Sequence, residues 1–211
     1  MRNHAITIAT ILVAGPLAAQ QSAPAAARPP VTQAPRPIPA AAQQIAAAVL
    51  PLPDSLRAGA RVLGYAPDGS LGELRAGTGT MTCIADDPTD NRFHVACYHN
   101  SMEPYMVRGR ELRAQHVQQP TLDSIRKAEV LSGRIHMPNG AALYSLTGPA
   151  GSYDPATSTV HGARPLFVVY VPFATAESLG LPATPVGNAG KHWVMHSGEP
   201  SAHIMYTPEM P

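Results

Sequence analysis

Both cysteines of the chain, Cys83 and Cys97, stand in one stretch, Thr80 to Arg113, which also holds its densest run of titratable groups. Met81, Cys83 and Ala85 alternate onto one face of a first strand, and Phe93, Val95 and Cys97 onto one face of a second. Asp86-Asp87-Pro88-Thr89-Asp90-Asn91 between them is turn chemistry. A turn centred near Asp90 sets Cys83 opposite Cys97. Two inward sulfurs facing each other across an antiparallel pair have the geometry of a cross-strand disulfide. A slip of one residue would send them to opposite faces. Metal thiolate and catalytic thiol are the other readings. No Cys-x-x-Cys is present, so neither a thioredoxin-type site nor covalent haem attachment is indicated.

A disulfide needs an oxidising space, and the N-terminus supplies the address. Arg2 precedes the apolar run Ala5 to Ala14, Gly15-Pro16 breaks it, and Leu17-Ala18-Ala19 offers small residues for cleavage. Ten apolar residues fall short of the ~20 that a spanning helix requires. Residues 1–19 are therefore expected to be a signal peptide, and the mature protein to be periplasmic or secreted without a membrane span. Residues 20–38, rich in Pro, Ala and Gln, read as a flexible linker with too little apolar surface to offset its ordering entropy. Residues 39–211 are expected to form a single domain.

Across that domain the periodicity changes repeatedly. Ala40 to Leu50 reads as a helix ended by Pro51 and Pro53. Arg61–Tyr65 and Leu71–Arg75 read as a hairpin across Pro67-Asp68-Gly69-Ser70. After the cysteine hairpin, Asn100 or Ser101 caps a helix whose buried stripe is Met102, Tyr105, Met106, Gly109 and Leu112, with Gly109 allowing close approach to the sheet. A second helix starts at Thr121, faces Leu122, Ile125 and Ala128 inward and stops at Gly133. Ala142–Leu146 is a strand, Gly148 to Arg164 a long polar loop, and Leu166–Val171 a central strand buried on both faces. Thr175–Gly180 is a short helix. Lys191–His196 and Ala202–Tyr206 form a last hairpin. The order predicts an α+β fold, a mainly antiparallel sheet with two central helices packed on it.

Charged residues are 14% of the chain and the net charge is +1, with no block of like charge. That opposes a nucleic-acid partner, whose phosphates need a concentrated basic face. Three of the nine histidines, His192, His196 and His203, lie in the last hairpin. If its turn centres on Glu199, His203 faces Met195; shifted by one residue, it faces His196, and only then do three imidazoles gather as a zinc-type site. No HExxH accompanies them. His99 and Glu103 are a candidate acid–base pair at a strand–helix junction, set against a His that simply satisfies the helix end. His94 reads as solvated. Arg108, Arg110 and Arg113 read as a solvated helix face, or as a carboxylate or sulfate site. Asp86, Asp87 and Asp90 lack the EF-hand spacing for calcium. Met102, Met106, Met195 and Met205 sit at core-type positions, with soft copper ligation by Met and His the chemical alternative.

The phrases at residues 85–112, 143–148 and 192–208 (ADDPTDNRFHVACYHNSMEPYMVRGREL, LYSLTG, HWVMHSGEPSAHIMYTP) resemble a family of predicted secreted bacterial proteins with no assigned function. The resemblance implies a secreted domain and transfers no catalytic residue. The reading is of an exported binding or interaction module for a ligand or protein, needing no cofactor. The alternative is a metal-dependent hydrolase that uses the histidine hairpin with zinc.

Overall fold

A computed structural model describes residues 36–186 and 191–208, all within the unit spanning Gln33–Pro211. The expected signal peptide and all but the last residues of the expected linker lie outside the described residues. So does the end of the 182–190 loop.

The chain runs α1 (Ala41–Ala48), α2 (Asp54–Arg57), β1 (Arg61–Tyr65), β2 (Leu71–Arg75), β3 (Met81–Ile84) and β4 (Arg92–His99). A 3-10 turn at Asn100–Met102 leads into α3 (Glu103–Ala114) and α4 (Thr121–Leu131). Then come β5 (Ala141–Pro149), β6 (Tyr153–Asp154), β7 (Thr159–Val160), β8 (Arg164–Tyr170), α5 (Ala176–Leu179), β9 (Lys191–Met195) and β10 (His203–Thr207). Eight strands form one sheet in the order β2-β1-β3-β4-β5-β8-β10-β9. Only β1–β3 is parallel; every other neighbour is antiparallel. The fold is therefore mixed α+β with a large, mainly antiparallel sheet. Among the described residues no helix is long and apolar enough to cross a membrane.

Cys83 pairs directly with Cys97 in the β3–β4 register, and the two are joined by a disulfide buried from solvent. Alternation along β4 puts its two faces to separate uses. On the Cys97 side, Ala48, Val49 and Leu52 from α1 and the turn after it cover Val62, Met81, Cys83 and Ala85. On the Tyr98 side, Met102, Tyr105 and Val130 gather with Ile135, Met137 and Ala141. Full burial of a side chain such as Met102 or Leu52 contributes roughly 1.5–3 kcal/mol. Gln44 fixes α1 against β1: its amide donates to Tyr65 O and accepts from Tyr65 N, each at 2.8 Å. Gly64 makes room for this, since a Cβ there would lie 2.6 Å from Gln44 Oε1 and 2.4 Å from Leu74 Cδ1. Ahead of α1, Arg36 reaches the β3–β4 turn, ion-pairing with Asp86 at 2.7 Å and donating its amide to Pro88 O.

Several expectations change. Residues 148–164 are not one loop: β5 runs to Pro149, and β6 and β7 make a small hairpin. Its turn is built locally, the Asp154 carboxylate accepting from Ala156 N and the Thr157 hydroxyl. β8 is central in the sheet, yet along it only Val168 is buried. The apolar clusters gather on β1, β3, β4 and the start of β5, so less covers β8. Gly109 admits another helix rather than the sheet: its missing Cβ would meet the Arg126 guanidinium of α4 at 3.1 Å. On α4 the buried residues are Leu122, Arg126, Glu129 and Val130, while Ala128 is exposed. Two charged side chains turn inward because each has a partner there. Arg126 stacks 4.1 Å over the Tyr105 ring and bonds Asp123. Glu129 receives Arg108 at 2.9 Å and Arg134 at 3.4 Å. Arg108 and Arg110 are thus half-buried members of ion-pair networks rather than a solvated face.

Candidate functional site

His99 and Glu103 follow one another at the end of β4, but their partners differ. The His99 Nδ1 lies 2.8 Å from Ser101 Oγ and accepts from Ser101 N at 3.3 Å, closing the 3-10 turn. Glu103 turns toward the sheet, where it accepts from Tyr98 Oη, from Arg110 at 2.9 Å and from Arg61 at 3.4 Å. Burial, with Glu103 accepting from it, pushes the Tyr98 phenol far up. Glu103, Arg108 and Glu129 also border a broad concavity of about 580 Å³. Its carboxylates already hold arginines. His94 is half-buried against Ser145 Oγ at 3.2 Å, and burial, aided by Arg92, lowers its pKa.

The last hairpin adopts the register in which His203 faces Met195 and His192 faces Tyr206. His192 therefore lies near the start of β9 and His196 just past its end. The structure nevertheless brings His196 and His203 together, their ring centroids 5.4 Å apart and edge to face. The cause is backbone geometry. His196 has φ +54°, a left-handed conformation uncommon outside glycine. That turn breaks strand alternation and lets its ring reach His203. In this register the three imidazoles of the hairpin do not gather, and His196 and His203 meet only as a pair.

Ser201 holds both rings. His203 Nδ1 is 2.7 Å from the Ser201 carbonyl, which can only accept, so Nδ1 carries the proton and Nε2 the lone pair. His196 Nδ1 is 2.9 Å from Ser201 Oγ. His203 is itself buried against Tyr170, ring centroids 5.1 Å apart, and burial pushes the Tyr170 phenol up to about 12.

Between this turn and α4 lies a cleft of about 230 Å³, walled by Tyr105, Asp123, Ser124, Lys127, His196 and Ser201 among others. Lys127 Nζ meets Glu199 Oε2 at 2.6 Å, an ion pair from helix to turn. At the back, burial raises the Tyr105 phenol, with Arg126 among the groups pulling the other way. The β8–α5 connection braces the turn: Phe173 N donates to Glu199 O, and Gly198 N to Ala174 O. Phe173 also has a left-handed φ, +65°, and is 52% exposed. Unusual backbone conformations concentrate at functional sites. Tyr105 reads from the sequence as core only, and nothing in the sequence singles out Asp123, Ser124, Lys127 or Ser201 as site residues, because α4 and the hairpin turn lie some 75 residues apart. The one visible signal was the polar turn Ser197-Gly198-Glu199-Pro200-Ser201.

Among the described residues no group of three or more His, Cys, Asp or Glu side chains is placed to hold a metal ion. Comparison of the chain with protein-family models, curated proteins and solved structures finds no match.

Proposed function

We propose that the protein is an exported binding module that seats a small polar ligand in the cleft between α4 and the β9–β10 turn. The observation that carries this reading is the cleft itself. Hydroxyl, imidazole, ammonium and carboxylate groups from remote segments converge on about 230 Å³ of concave surface. Export is supported by the apolar N-terminal run and by the disulfide. Residues 39–211 act as one folding unit in this reading, with α3 and α4 as the two helices on its sheet. The test is amide-resolved NMR against a panel of small amino acids, sugars and carboxylates. Shifts clustered at Tyr105, Ser124, Lys127 and Ser201, and lost in a cleft-filling Ser124→Trp variant, are expected. Shifts confined to other surfaces, or none, overturn the reading.

The second reading is a zinc-dependent hydrolase on the histidine hairpin, favoured by the contact of His196 with His203. It requires a third protein ligand and an open coordination position. Metal analysis of protein purified from the periplasm tests it: less than one zinc per chain removes it.

A further inference from the structure

Two imidazoles with both Nδ1 atoms engaged by one residue are oriented as metal ligands are. A ligating histidine characteristically gives its other ring nitrogen to a backbone carbonyl or similar group. His203 does this with the Ser201 carbonyl, and His196 can do it with the Ser201 hydroxyl, the tautomer in which each Nε2 carries a lone pair. Their spacing fits a shared ion. With an Nε2–metal bond of ~2.0 Å and a ring centre ~1.2 Å behind the nitrogen, each centroid stands ~3.2 Å from the ion. Centroids 5.4 Å apart then subtend roughly 115° at the metal, in the trigonal-to-tetrahedral range.

The third donor comes from the hairpin register. Met195 is the direct cross-strand partner of His203, and directly opposed residues project on the same face. Met195 is only half-buried. His196, the next residue in sequence, has its ring beside that of His203. Two imidazoles and a thioether are a soft donor set, and thioethers select copper(I) over zinc or the harder cations.

We propose that Met195, His196 and His203 form a copper(I) site on the β9–β10 hairpin, with Ser201 orienting both imidazoles. His196 and Ser201 also line the adjoining cleft but Met195 and His203 do not, so copper transfer, read with Met195→Leu, is distinguishable from polar-ligand binding there.

The test is competition for copper(I) supplied as its bicinchoninate complex to the full, disulfide-intact protein, with absorbance of the coloured complex as the readout. One equivalent of copper is expected to transfer per chain. X-ray absorption on the loaded protein is expected to show one sulfur with nitrogen neighbours. His196→Asn keeps a residue that tolerates the left-handed backbone. Met195→Leu keeps apolar volume at its position. Each is expected to lose the equivalent, while His192→Ala retains it. No transfer to the wild-type protein overturns the proposal. So does a sulfur-free copper shell, full retention by either ligand variant, or loss of copper in His192→Ala.

Discussion

Cys83 and Cys97 show how much one pair of residues can decide. Their bond closes a loop with a sequence separation of 14. In the chain-entropy account a loop of that size stabilises by at most ~3 kcal/mol. Cys83→Ser and Cys97→Ser are each expected to lower stability by a similar amount, up to that figure, with the double variant no worse. Urea unfolding checks this, and denatured, non-reduced wild-type protein should show no titratable thiol. At His94 the expected effect is one of pH. Its imidazole faces Ser145, Arg92, Asp90 and Asp86, and burial holds its pKa below the ordinary 6.5. Above that value both folded and unfolded chains carry it neutral, and its contribution is fully present. As pH falls through 6.5 toward the lower folded value, the unfolded chain takes the proton first, and stability is lost. Unfolding midpoints should therefore drop between pH 7.5 and 5.5, and drop less in His94→Gln; an equal drop in both proteins rules His94 out.

At the scale of elements, α3 and α4 join through charge as much as through apolar contact. Glu129 is 8% exposed and receives Arg108 and Arg134, whereas Glu111 is 52% exposed and pairs with Arg108 one turn away. Removing the buried carboxylate takes away the main partner of Arg108, which keeps only exposed Glu111, while an exposed i,i+3 pair contributes little. Glu129→Ala is expected to cost about 2 kcal/mol, discounted for the partly exposed arginines, and Glu111→Ala less than ~0.5 kcal/mol. Chemical denaturation of the two variants measures the difference, and equal losses would show that the buried pairing is unimportant. This network sets an inward face on α4 that its apolar stripe alone does not define. Leu122 is buried as its helical spacing predicts, but Ile125 is half-buried, Ala128 is exposed, and the helix turns Arg126 and Glu129 inward beside Leu122. A hydrophobicity pattern ranks those two as solvent-facing, and only their partners on α3 reverse the ranking.

At the scale of the described unit, β4 joins two apolar clusters, Ala48, Val49 and Leu52 packing with Cys97, and Tyr105 and Val130 with Tyr98. Residues 39–211 are expected to unfold in one cooperative transition, with tyrosine fluorescence and far-ultraviolet dichroism giving the same midpoint. Two separated midpoints would divide the unit. What could be read directly from the chain was local. Alternation in Met81–Ala85 and Phe93–Cys97 defined two strands with inward sulfurs, and the six-residue turn between them set the register that the disulfide needs. Strand periodicity and turn residues act over a few neighbours, so they are written in consecutive letters. The cleft required contacts that no local pattern encodes. Tyr105 and Lys127 meet Ser201 and Glu199 because the fold sets the β9–β10 turn against α3 and α4 across one cleft, and His196, with its left-handed backbone, meets His203. Packing between segments remote in sequence decided the site, since which surfaces face each other depends on burial summed over the whole fold.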